Sequence, residues 1–126
     1  VMARALEAEL DEFGALSLQA TNAARISSLC TVFAESEVIS LIAKGETREN
    51  IIAGIHEAIA SRVSAMANRI GLVAPVLMTG GVARNIGVVR ALEKVMGLRM
   101  VVSPQAQVAG AIGAACLARE NEVKHV

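Results

Sequence analysis

After residue 71 the hydrophobic pattern of the chain stops being helical and breaks into short aliphatic runs separated by glycine and proline. "VAPVLMTGG" reads as a buried strand, "NIGVVRALEKVMG" as a helix ending at Gly97, "LRMVVSP" as a second strand and "QVAGAIGAACLARE" as a closing helix. Strand, helix, strand, helix with short connections implies a parallel sheet covered by helices, an α/β chain. In such sheets ligands sit beyond the C-terminal ends of the strands. The adjacent glycines Gly80 and Gly81 fall at one such end.

The preceding residues are helical. Thr47 is placed to cap a helix over 48–70, whose stripe is Ile51, Ile52, Ile55, Ile59, Val63, Met66 and Ile70, with Gly71 as its stop. Upstream, the second half of "RISSLCTVFAESEVISLIAKG" predicts a short helix with Phe33, Val38, Leu41 and Ile42 on its apolar face and Gly45 at its end. Glu35, Ser36 and Glu37 lie near its start, where carboxylates suit the helix dipole. "VMARALEAELDEFG" spaces Met2, Ala5, Leu6, Leu10 and Phe13 as another helix closed by Gly14. That pattern is entered with neither a capping residue nor an initiator Met. The expectation is therefore one domain over 1–126, cut from a longer protein.

Composition narrows the partners. Hydrophobic residues make up 54% of the chain but aromatics only 2%, so the core is built from Ala, Val, Ile, Leu and Met. Basic and acidic residues are 12 each, and this balance points to neither nucleic acid nor an anionic membrane surface. The longest uncharged apolar stretch, 108–118, is well short of the ~20 residues that span a bilayer. There is no secretory signal pattern, and a cytoplasmic location is expected.

Several residues are candidates for chemistry. Gly80 and Gly81 would bare backbone N–H groups just before a helix, which suits an anion or nucleotide. The motif is neither a Walker A loop nor G-x-G-x-x-G, and a tight strand-to-helix turn with Asn85 as N-cap explains it equally well. Gln107, starting the closing helix at the same sheet edge, could hydrogen-bond a base or ribose. Arg84 could stack on an adenine or meet a phosphate, or be only a solvated surface charge. Gly110 and Gly113 would let the closing helix approach the sheet or a ligand. Cys30 precedes a helix, where a thiolate is stabilised and could ligate a metal, although a lone cysteine is more often a small buried hydrophobe. Cys116 is expected in the core, His56 at the boundary of the long helix and His125 in the tail. No Ser–His–Asp set, H-E-x-x-H or C-x-x-C occurs.

The run "CTVFAESEVISLIAKGETRENIIAGIHEAIASRV", then "MTGGVARN", then "SPQAQVAGAIGAA", closely resembles the activators of 2-hydroxyacyl-CoA dehydratases and the related ATPase subunits of benzoyl-CoA reductase. The resemblance covers nearly the whole chain in order. It implies an actin-like fold, shared with Hsp70 and sugar kinases, of which this chain would be the C-terminal lobe. It further implies ATP or ADP and Mg²⁺ as ligands, and a homodimer holding one [4Fe–4S] cluster by two cysteines from each subunit. Reduced ferredoxin or flavodoxin would supply a low-potential electron that ATP hydrolysis drives onto a dehydratase or aryl-CoA reductase. By position, Cys30 matches one cluster ligand. Gly80, Gly81, Val82, Ala83 and Arg84 match the nucleotide loop, and Gln107 a polar position of the adenosine pocket. Arg84 departs from the family, where Gln or Lys is usual. The family's second cluster cysteine, in a Cys-Ala-Ala-Gly-type loop, and its phosphate loop lie upstream of this sequence, so this stretch alone is expected to be inactive. Two rival expectations stand beside this one. A small-molecule kinase of the same superfamily would need a catalytic Asp and leaves "CTVFAESE" unexplained. A non-catalytic dimerisation or regulatory module would keep the fold only.

Overall fold

The computed structural model describes residues 2–27 and 31–123. In order it comprises α1 (Met2–Ala5), α2 (Phe13–Ser17), α3 (Thr31–Ala43), α4 (Arg48–Ile70), β1 (Val76–Met78), α5 (Ile86–Met96), β2 (Met100–Val102) and α6 (Ala109–Val123). Two 3-10 turns, Gly81–Arg84 and Ala106–Val108, follow the two strands.

The strands pair in parallel as the sequence predicts, with Val76 opposite Met100, Leu77 opposite Val101 and Met78 opposite Val102. Met78 and Met100 point into a cluster formed by Ala60, Val88, Ala91 and Leu92, so α4 and α5 cover one face of the sheet. The expectation that "VAPVLMTGG" is a buried strand needs correction, because alternate residues point to opposite faces. Leu77 is 61% exposed and Val101 50%, and the second face is bare among the described residues.

The long helix runs over the predicted residues. Thr47 Oγ1 accepts from Asn50 N at 3.3 Å, and Gly71, at φ 79°, ends the helix. Its stripe is buried only in part. Ile51 and Ile52 are fully buried with Leu6, Phe13, Ala24 and Val38, whereas Met66 and Ile70 near the C-terminal end are exposed. In α3, Val38 is buried as expected but Phe33 is exposed, and Gly45 follows its end at φ 80°.

Two expectations fail at the ends of the chain. The N-terminal helix does not continue to Gly14: it stops at Ala5, and Glu7 takes a positive φ of 48°. An unbroken helix would hold Leu6, Leu10 and Phe13 on one stripe. The break lets Leu6 and Phe13 both enter the core while Leu10 is released to solvent. Gly14 is no cap; it is buried inside α2, where a Cβ would lie 2.9 Å from Asn85 Oδ1 and 3.1 Å from Ile86. The closing helix α6 is not a core element either. Residues 110–120 are exposed, Cys116 among them, and a Cβ on Gly110 or Gly113 would meet nothing within 4 Å. With apolar side chains on every side from Ala109 to Ala118, the sequence marks no face of α6 as inner or outer.

Candidate functional site

The chain leaves β1 through Thr79 into Gly80, whose φ of 90° and ψ of 175° are open only to glycine. Gly80 N donates to Ala106 O at 2.7 Å, which ties the exit of β1 to the turn that follows β2. The backbone then closes a 3-10 turn, with Ala83 N donating to Gly80 O and Asn85 N to Val82 O. Ala83 is buried beneath the turn, while Val82 stands out from it at 57% exposure. The leading amides of such a turn have no carbonyl inside it to bond.

Arg84 Nη1 donates to Gln107 Oε1 at 2.9 Å, and both side chains are exposed. The structure therefore gathers Gly80, Gly81, Val82, Ala83, Arg84 and Gln107 into one patch at the C-terminal edge of the parallel sheet. Arg84 is thus an exposed cation hydrogen-bonded to the neutral side chain of Gln107.

Conformation explains Gly80 but not Gly81. A Cβ on Gly81 would meet nothing within 4 Å, and its φ lies outside the region reserved for glycine. The chain's own packing leaves room for a side chain there. Asn85 caps α5 as expected, its Oδ1 accepting from Val88 N at 3.1 Å.

Sequence reasoning missed His56. It is 3% exposed rather than at a boundary, with its ring 6.4 Å from that of Phe13. Burial pushes its pKa down to about 4, so the imidazole is neutral at neutral pH. Nε2 lies 3.4 Å from Asn85 Nδ2, and Nδ1 has no hydrogen-bond partner. Gly87 makes this burial possible: its own Cβ would collide with Ser17 Oγ and lie 2.6 Å from His56 Nδ1. The signal available was Gly87 itself, a glycine within an amphipathic helix that no turn requires.

A cavity of about 520 Å³ opens between α2, α4 and α5, lined among others by Ser17, Thr21, Asn22, His56, Arg90 and Lys94. None of the loop residues lines it. Its cations are already matched, Arg90 to Glu93 and Lys94 to Glu57, each at 2.8 Å. Cys30 lies outside the described residues. Among the described residues, no group of three or more His, Cys, Asp or Glu could hold a metal ion. Nor is any described helix long and apolar enough to cross a membrane.

Similar solved structures define the class of the fold. Component A of (R)-2-hydroxyglutaryl-CoA dehydratase from Acidaminococcus fermentans superposes with a TM-score of 0.87 at 53% identity, covering 90% of this chain and 44% of that one. The activator of 2-hydroxyisocaproyl-CoA dehydratase from Clostridium difficile, with bound ADPNP, gives 0.91 at 43% identity, covering 99% and 48%. The fold is thus the α/β fold of the actin-like ATPase activators. In sequence, the activator of lactoyl-CoA dehydratase from Anaerotignum propionicum is 55% identical over 124 residues, 98% of this chain and 48% of that protein. The model of the BadF/BadG/BcrA/BcrD ATPase family matches residues 1–118, and the chain belongs to that family. It spans about half the length of these relatives, 48% of the lactoyl-CoA dehydratase activator.

Proposed function

We propose that this chain is the C-terminal, nucleotide-contacting part of an ATP-dependent activator. The activator passes a low-potential electron from a [4Fe–4S] cluster to a 2-hydroxyacyl-CoA dehydratase or aryl-CoA reductase. The observation that carries the nucleotide reading is Gly81, a glycine that neither its backbone angles nor its surroundings require. A nucleotide lying against the backbone would require it. Gly80 bends the chain, Gly81, Val82 and Ala83 present the backbone surface, and Arg84 with Gln107 forms the polar edge of the adenosine pocket. ADPNP in the Clostridium difficile relative supports ATP as the ligand.

Phosphates and Mg²⁺ fall to the other lobe. Nucleotide hydrolysis depends on clamping them, because positioning and charge stabilisation supply nearly all of the rate. Cys30 is the cluster ligand offered by this chain. A [4Fe–4S] cluster takes four thiolates, so a two-fold axis sharing it between homodimer subunits needs two from each, the second from upstream. Bound there, the cluster supplies one-electron chemistry. Reduced ferredoxin or flavodoxin would be the electron donor, and the cytoplasm the location.

The nucleotide reading is tested by titrating ADP calorimetrically into full-length protein carrying Gly81→Val. Because the chain has room for the new side chain, the variant is expected to stay folded and to bind at least ~10-fold more weakly, about 1.4 kcal/mol. Unchanged affinity returns the glycines to a purely local turn.

A further inference from the structure

His56 is buried in α4, yet its hydrogen bond leads to the loop on which the proposed nucleotide site is built. The direction of that bond follows from the cap. Asn85 Oδ1 is committed to Val88 N, so the group Asn85 turns toward His56 is its amide Nδ2, a donor. Nε2 of the imidazole must therefore carry the lone pair and Nδ1 the proton. A Cβ on Gly87 would lie 2.6 Å from Nδ1 and collide with Ser17 Oγ, whose own proton goes to Gly14 O at 2.8 Å, and Nδ1 has no hydrogen-bond partner. Phe13 lies against the same ring. The imidazole is thus packed from α2 and α5 at once, and among the described residues its polar bond goes to Asn85.

Asn85 does two jobs. Its side chain caps α5, and its backbone N–H closes the Gly80–Arg84 turn on Val82 O at 2.9 Å. We infer that His56 is a positioning residue for the glycine loop, holding Asn85 in the one orientation that both caps α5 and ends the turn. At 3.4 Å the bond is long, and its effect is orientational rather than a large share of stability. The link from loop to nucleotide rests on the function proposed above, but the hold of His56 on the turn does not.

The test uses full-length protein with His56→Leu, which fills similar space without an acceptor, and His56→Gln, which restores an acceptor near the place of Nε2. Amide hydrogen exchange without nucleotide should be at least ~10-fold faster at Val88, Ala83 and Asn85 in the Leu variant and near wild type in the Gln variant. ADP affinity should fall about fivefold in the first and recover in the second, in step with exchange. Should His56→Leu fail to fold, nitrogen-15 spectra of the wild-type imidazole decide the matter, the expected tautomer having its proton on Nδ1. Unaltered loop exchange in the Leu variant, equal exchange in both variants, or a proton on Nε2 overturns the inference. If instead Gly81→Val leaves ADP binding intact, it is the nucleotide reading that fails, while exchange and tautomer still judge His56.

Discussion

Gly54→Ala is expected to destabilise the protein by about 3 kcal/mol or more, enough to leave much of it unfolded under mild denaturant. Helix propensity alone predicts the opposite sign, since alanine in a helix interior is favoured over glycine by roughly 1 kcal/mol. Packing overrides it here. A Cβ on Gly54 would run into the carbonyl oxygen of Ala24, which is backbone and not the movable end of a side chain. That backbone is also held in place: Ala24 N donates to Asn50 O at 2.8 Å, and Thr21 N and Asn22 N both donate to Asn50 Oδ1 at 3.1 Å. Asn50 is anchored in turn, its Nδ2 donating to Glu46 Oε1 at 2.8 Å. Relief of the clash therefore requires breaking several bonds that dock residues 21–24 onto α4. Urea unfolding of wild type and variant measures the difference, and equal midpoints would show that the segment slides freely.

Cys30→Ser is expected to remove essentially all cluster iron from full-length protein, whereas Cys116→Ala keeps it. Serine is a poor substitute for a soft thiolate ligand, and a shared cluster that loses one ligand per subunit loses two of its four. In the sequence Cys30 is the residue before Thr31, where α3 begins, and it lies outside the described residues. Cys116 is exposed on α6, so its removal costs little packing and the comparison separates ligation from folding. Iron and acid-labile sulfide are measured after anaerobic purification. Equal iron in the two variants would detach Cys30 from the cluster.

What could be read from the sequence was local. Thr47, Asn85 and Gly97 announce helix ends through side-chain and backbone rules that need only neighbours in the chain, and each occupies the predicted cap. The order of strands and helices gave the parallel pairing, and with it the edge where Gly80 meets Gln107. Failures arose where distant residues decide. Leu6 and Phe13 enter the core only because the helix between them breaks. Cys116 lies in an apolar run that nothing described covers, and His56 is buried because Gly14 and Gly87 let α2 and α5 close over it. Glycine read as punctuation was right at Gly45, Gly71 and Gly97 but wrong at Gly14, where it marks a contact.

Whether nucleotide hydrolysis drives the electron is measured directly in a single turnover. Full-length protein, reduced anaerobically, is mixed with a 2-hydroxyacyl-CoA dehydratase or an aryl-CoA reductase, and iron–sulfur absorbance is followed through a single turnover. The expected result is transfer with Mg²⁺ and ATP but not with ADP or with a non-hydrolysable analogue, and none for Cys30→Ser with any nucleotide. Transfer at the same rate without ATP, or no iron–sulfur absorption in the intact protein, would contradict it.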